Sequence, residues 1–243
     1  MGMILDDSFP PDPRVENEAL SLIEDGHQVF LYCLDYMQNK KKYENIKGIF
    51  VQRQHFPKYV YKLSALAYTI PFYHIFLKKS LKEFILRNEI DVIHVHDMQI
   101  ARSVFAVGRK LKKRIVLDLH ENRPEIMKFY GHVNSFLGKL LIHPSIWKRY
   151  EYKYIKEADK VVVVTEEAKE YYLKEISVNG NKFAVVPNTV RKEFYENYII
   201  DNEIVERYKD AYPILYLGDT GLRRGVVIMI KSLEKLIKLI PNI

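Results

Sequence analysis

Lys160-Val161-Val162-Val163-Val164-Thr165-Glu166-Glu167 is the stretch that decides the fold class. Four consecutive β-branched residues leave no polar face, so the strand they form suits a parallel sheet covered on both sides by helices. Outward from this stretch the same texture repeats. Strands are predicted at residues 3–5, 28–33, 49–51, 92–95, 115–119 and 184–186, besides 161–164. Helical patterns lie between them at 15–24, 60–87, 101–111, 135–156 and 166–176, the second broken near Pro71. Strands alternating with crossover helices are parallel βαβ units. The expected fold is therefore α/β, an open and doubly wound parallel sheet.

After Pro187-Asn188 the texture changes. A polar stretch over 191–209 leads to an apolar run at 214–217, the turn Gly218-Asp219-Thr220-Gly221 and a helical pattern at 225–239. Strand, glycine turn and helix is how a nucleotide-binding α/β unit opens. The expected organisation is one domain over 1–190 and an incomplete second domain over 191–243, because a single βα unit cannot bury its own faces.

The composition, 48% hydrophobic and 28% charged over 243 residues, is that of a globular protein with a sizeable core. A formal net charge of +7 suits anionic partners such as nucleotide diphosphates, phospholipid head groups or nucleic acid. Cys33 is the single cysteine, so no intrachain disulfide exists, which fits a reducing cytoplasmic location. Acidic Asp6 and Asp7 interrupt the N-terminus before any signal-length apolar run, and Asp6 stands where myristoylation needs Ser or Thr. The most apolar stretch, 60–77, contains Lys62, Pro71 and His74 and is read as an amphipathic helix rather than a membrane span.

In an open parallel sheet, ligands bind beyond the carboxyl ends of the strands. Four clusters follow apolar runs there: Asp6-Asp7, His94-Val95-His96-Asp97, Asp118-Leu119-His120-Glu121-Asn122-Arg123, and Thr165-Glu166-Glu167. Helix N-capping is the structural alternative for each, most directly for Thr165 and Glu166. Two acids and an imidazole within Asp118-Leu119-His120-Glu121 exceed what a cap needs.

Several segments resemble the large family 4 of retaining glycosyltransferases. They are Phe9-Pro10-Pro11-Asp12-Pro13-Arg14-Val15-Glu16 with Gly26-His27-Gln28-Val29, Asp91-Val92-Ile93-His94-Val95-His96-Asp97, Asp118-Leu119-His120-Glu121, Ala158-Asp159-Lys160-Val161-Val162-Val163-Val164-Thr165 and Val185-Val186-Pro187-Asn188. Five segments in the family's order, running from Arg14 to the end of the chain, make the resemblance specific. It implies a GT-B arrangement of two Rossmann-like domains, the first taking a glycan or lipid acceptor and the second a nucleotide diphosphate-sugar. Hexosyl transfer is the implied reaction, with no tightly bound cofactor or metal. The resemblance makes His120 the first catalytic candidate and His96 the second, supported by Asp118 and Glu121. It places Arg14, Asp97, Asn122 and Arg123 at the acceptor and Pro187-Asn188 at the hinge. Arg14 has an alternative partner in Glu18, four residues along the helix. The resemblance puts Gly218, Arg224 and Gly225 at the donor diphosphate. Asp219 stands where the family usually has an arginine, and Arg224 stands in for a lysine, which is not a free exchange. The family's paired glutamates do not occur in this sequence, so the chain alone is expected to transfer little or nothing.

Two rival readings come from the residues. One is a non-catalytic subunit that binds an acceptor or an anionic membrane, peripherally at its inner face, and works with a separate donor-domain chain. Its basis is the basic, aromatic pattern of 59–87 and 150–156, whose alternative is packing of those rings on the sheet. The other is a metal-dependent hydrolase. His94 and His96 are two apart on a strand and so share a face, with Asp97, Asp118 or His120 as further ligands. The runs Lys40-Lys41-Lys42 and 110–114 accompany no nucleic-acid reading module, so nucleic acid is not expected as a partner.

Overall fold

The computed structural model describes the chain except residues 38–39, 71, 197, 211, 222–223 and 241–243. It divides into two compact units, Met1–Thr189 and Val190–Ile243.

The first unit is built on one eight-stranded sheet. Its strands are β1 (Gly2–Ile4), β2 (Phe30–Asp35), β3 (Tyr43–Ile46), β4 (Ile49–His55), β5 (Val92–His96), β6 (Arg114–Leu119), β7 (Lys160–Val163) and β8 (Phe183–Val185). Their order across the sheet is β3-β4-β2-β1-β5-β6-β7-β8, and every neighbouring pair is parallel except β3 with β4. The order runs outward in both directions from β1 and β5, which makes that boundary the topological switch point where ligands are favoured. The strand β3 was not anticipated from the sequence. It forms a hairpin with β4 through Lys47 and Gly48, both at positive φ, the conformation a two-residue type I′ turn requires.

Helices cover both faces. The first, α1 (Pro13–Glu24), starts at Asp12, whose carboxylate accepts from the amides of Arg14 and Val15, with Pro13 at the position where no donor is needed. Its buried Val15 and Ala19 pack with Met3, Leu5, Leu31, Cys33 and Val51 on one face of the sheet. The opposite face carries the larger core, under α2 (Lys58–Ser64), α3 (Phe72–Arg87), α4 (Met98–Lys110), α5 (Arg123–Met127), α6 (Gly131–Asn134), α7 (Phe136–Leu141), α8 (Pro144–Glu157) and α9 (Glu166–Glu175). The long pattern at 60–87 is thus two helices, α2 and α3; Pro71 itself lies outside the described residues. The pattern at 135–156 is likewise divided, because Pro144 opens a new helix rather than continuing one. No helix among the described residues is long and apolar enough to cross a membrane.

The second unit holds α10 (Lys192–Glu196), α11 (Asn202–Arg207) and α12 (Val226–Leu239). The strand expected at 214–217 does not form: these residues are irregular and exposed. A strand needs a neighbour to satisfy its backbone groups, and the described residues of this unit supply none. The helix that follows does form, entered through Gly225 in the left-handed conformation.

Candidate functional site

Beyond the carboxyl ends of β1, β5 and β6 lies a cavity of about 770 Å³. Leu5, Asp6 and Asp7 enter it from the end of β1, His96 and Asp97 from the end of β5, and Glu121 and Arg123 from the end of β6. The far wall is apolar, formed by Met127, Leu137, Leu141, Ile142 and Trp147. That wall depends on a tight approach of α6 and α7. Ser135 caps α7 through Gly138, and a Cβ at Gly138 would collide with the carbonyl oxygen of His132.

The polar side of the cavity is held by short-range pairing. Arg14 binds Asp12 through Nη2 at 3.1 Å and Nε at 3.3 Å, not the Glu18 four residues on. These bonds keep Asp12 below the usual carboxylate range despite its burial. The loop that leads to Asp12 is held at Phe9 by Arg53, a fully buried guanidinium. Arg53 donates to the carbonyls of Phe9 at 2.9 Å and Lys41 at 2.7 Å and pairs with Glu44 at 2.8 Å. Asp6 accepts from Tyr73 and Tyr36, and its burial pushes the carboxyl up to about 7. Arg123 lies 3.6 Å from Glu121 and donates to Tyr130 at 3.2 Å. Asp97 sits at φ 64 and ψ 170, a conformation that costs a non-glycine residue about 1–3 kcal/mol and is concentrated at functional positions. It occupies the cap position of α4 without making a cap bond, so its carboxylate is left to the cavity. Burial raises its pKa, against the pull of His120, Arg123 and Arg14.

Behind the cavity, on the face that α1 covers, lies a buried polar cluster. His96 and Asp118 are register partners on adjacent strands, and His94 and His120 precede and follow them by two residues on the same face. Asp118 Oδ2 lies 3.1 Å from His94 Nε2, 3.1 Å from His96 Nδ1 and 3.2 Å from His120 Nε2. The rings of His94 and His96 stack at 4.5 Å, and those of His96 and His120 at 5.6 Å. Glu18 reaches in from α1, its Oε2 3.6 Å from His94 Nε2. Burial would raise Asp118, but the bonds from His120, His94 and His96 overcome it and hold the carboxylate well below its ordinary value. Burial, reinforced by the His94 charge, lowers His96 to about 4. His120 moves upward because Asp118 outweighs its burial. Burial and the Asp118 charge push Glu18 up to about 7.

Of the candidates read from the sequence, Arg14, His96, Asp97, Glu121 and Arg123 line the cavity. Asp118 and His120 are buried directly behind it and do not line it. Asn122 is also absent from the lining; its amide oxygen is used as the cap of α5, bonded to the amide of Glu125. Thr165 caps α9 by accepting from Ala168, and Glu166 and Glu167 stand exposed in its first turn, so this cluster serves the helix and not the cavity. Pro187 and Asn188 are exposed and irregular after β8. Gly218, Arg224 and Gly225 lie in the second unit, where Arg224 faces Asp219 at 3.7 Å. Asp12 and Glu18 were missed as site residues. Both lie near Arg14, on the cap and inner face of α1, where the positions of Val15 and Ala19 already mark the buried side.

Comparison with known proteins agrees with this architecture. The fold is shared with sucrose-phosphate synthase from Thermosynechococcus elongatus, at TM-score 0.68 and 13% identity, over 97% of this chain and 60% of that one. It is shared with Os79 from O. sativa in complex with UDP, at TM-score 0.59 and 10% identity, over 90% and 60%. An E. coli trehalose-6-phosphate structure bound with UDP-2-fluoro glucose matches at TM-score 0.53 and 11% identity, over 86% and 55%. The chain thus spans 55% to 60% of these three chains. No curated protein sequence gives a significant match. The sequence itself matches Glycosyltransferase Family 4 over residues 14–194, from the first helix of the large unit into the second unit. With well over half of its length inside that match, the chain belongs to Glycosyltransferase Family 4.

Proposed function

We propose that the large unit binds the acceptor of a sugar-nucleotide-dependent glycosyl transfer, and that the acceptor is a polyhydroxylated molecule with an apolar portion. The observation that carries this reading is the two-sided lining of the cavity. Carboxylates and guanidinium groups on one side, from Asp12, Arg14, Asp97, Glu121 and Arg123, can accept from and donate to sugar hydroxyls. Leu137, Leu141, Ile142 and Trp147 opposite them suit a ring face or a lipid chain. His96 borders the polar side of the cavity without exposed surface, and with Asp118 and His120 it forms the imidazole–carboxylate group behind the acceptor. The second unit contributes Gly218, Arg224 and Gly225 towards a donor diphosphate, and Pro187-Asn188 serve as the hinge between the two. The likeness to UDP-bound structures supports a nucleotide-sugar donor.

Ligand-observed NMR with free sugars, sugar phosphates and alkyl glycosides tests the acceptor assignment. Binding that Asp97→Asn or Glu121→Gln weakens by about tenfold is expected, the loss of one charged hydrogen bond. No binding across the panel, or binding unchanged in both variants, would overturn it. Isothermal titration with UDP, GDP and their sugar conjugates measures the donor side independently.

A second reading, an acceptor- or membrane-binding subunit that works with a separate donor-domain chain, is favoured by exposed apolar side chains. Phe136 is 86% exposed beside Leu137 and Leu140 near the cavity, and Ile228 is 74% exposed on α12. Sedimentation with anionic and neutral liposomes distinguishes it, since only a peripheral membrane protein pellets with anionic lipid. The family assignment displaces the hydrolase reading.

A further inference from the structure

The buried cluster behind the cavity has the geometry of a ligand set rather than of a hydrogen-bond network. His96 Nδ1, His120 Nε2 and Asp118 Oδ2 form a nearly equilateral triangle with edges of 3.1, 3.2 and 3.3 Å. Metal–ligand bonds of about 2.0–2.1 Å at tetrahedral angles place neighbouring ligand atoms about 3.3 Å apart. A carboxylate oxygen of Glu18 completes the group, with all four ligand atoms within 4.8 Å of one another.

Hydrogen bonding alone accounts poorly for these contacts. Three imidazole nitrogens converge on Asp118 Oδ2, while Oδ1 of the same carboxylate has no hydrogen-bond partner. His96 Nδ1 and His120 Nε2 are 3.3 Å apart, so if both carried hydrogens aimed at Oδ2, those hydrogens would be crowded against each other beside the one acceptor. Two lone pairs and a carboxylate oxygen facing a common point are instead what a cation requires. Charge argues the same way. Glu18 and Asp118 are two acids side by side in a low-dielectric interior, and a dication would neutralise both.

We propose that Glu18, His96, Asp118 and His120 bind one borderline divalent cation of the zinc class. Two imidazoles and two carboxylates suit Zn²⁺, Co²⁺ or Mn²⁺, whereas Mg²⁺ prefers oxygen ligands alone. His94, 3.1 Å from Asp118 and 3.6 Å from Glu18, is placed to orient both carboxylates from the outer shell. The ion would tie α1 to β5 and β6 directly beneath the switch point and fix the ring of His96 where it meets the cavity. The sequence offered His94, His96, Asp97, Asp118 and His120 as possible metal ligands; the fold adds Glu18 to the set, moves His94 to its outer side and leaves Asp97 at the cavity. This inference stands apart from the acceptor assignment, which rests on the cavity lining, and either can fail without the other.

The test is titration of the chelator-stripped chain with ZnCl₂, CoCl₂ and MgCl₂, followed by calorimetry and thermal unfolding. One Zn²⁺ or Co²⁺ per chain is expected, with Mg²⁺ at least about 100-fold weaker. Zn²⁺ at 100 times its Kd should raise Tm by about 5–10 °C. Co²⁺ should develop the intense visible bands of a four-coordinate site. His120→Gln and Asp118→Asn should abolish both signals. Should these variants fail to fold by circular dichroism, Glu18→Gln, at the half-buried rim of the cluster, carries the same test through weakened affinity and altered bands. Absence of stoichiometric Zn²⁺ and Co²⁺ binding by the wild-type chain would overturn the proposal. So would binding left unchanged in every folded variant, which would place the ion elsewhere.

Discussion

Replacing Glu151 by glutamine should flatten the pH dependence of stability in the large unit. Glu151 lies on α8 and is fully buried. Burial pushes its carboxyl from the ordinary 4.5 up to about 8. Tyr172 and Lys148 pull against that rise, and Glu125 and Asp97 add to it. The folded chain therefore holds a proton on Glu151 through a range in which the unfolded chain has released it. With more protons bound in the folded state, stability falls as pH rises from about 4.5 to about 8 and levels off above that. At about 1.36 kcal/mol per pKa unit, the contribution lost between pH 5 and pH 9 is about 4 kcal/mol, over half of it by pH 7. Glutamine cannot titrate, so Glu151→Gln should lack this loss. Asp6 and Glu18, both raised to about 7, contribute slopes of the same sign in both proteins. The difference between wild type and variant thus isolates Glu151. Urea unfolding of the two proteins at intervals from pH 5 to pH 9 provides the assay. Parallel curves, with a constant offset across the range, would refute the reasoning and place Glu151 in an ionised, paired state.

Three further outcomes follow from the packing. Gly138→Ala forces a methyl group into the carbonyl of His132 and should cost at least about 2 kcal/mol in urea unfolding, with loss of the cavity's apolar wall. Arg53→Met leaves Glu44 unpaired and frees the carbonyls of Phe9 and Lys41. A cost of about 2–4 kcal/mol, from the two carbonyls left without donors, and faster proteolysis in the loop between β1 and α1 are expected, the latter read by mass spectrometry of the fragments. Thr165→Ala removes a helix cap and nothing in the cavity. It should cost about 1 kcal/mol in the same unfolding assay and leave glycoside binding unchanged.

The sheet was legible because its signal is local. A strand buried on both faces is mostly apolar, so 161–164 announces itself by composition alone, and 92–95 and 115–119 do so despite the single polar residues His94 and Asp118. The edge strand β3 escaped because Tyr43-Glu44-Asn45-Ile46 is exposed and has no reason to be apolar; its marker was the turn at Lys47-Gly48. The expected strand at 214–217 shows the converse. An apolar, glycine-bounded run has the right local preference, but pairing is a property of neighbours, and the described residues around it offer none.

The sequence by itself determined the α/β class, the parallel order of alternating elements, the family, and which strand ends carry acids and imidazoles. Tertiary structure alone decided how those groups divide. Asp118 and His120 face the α1 side beneath the cavity while Asp97, Glu121 and Arg123 enter it, and Asn122 and Thr165 cap helices. It also brought in Glu18, whose partner His94 lies on another element. The physical reason is range: helix and strand preferences act over a few neighbouring residues. The role of a polar side chain is set by whatever the fold places within about 3 Å of it.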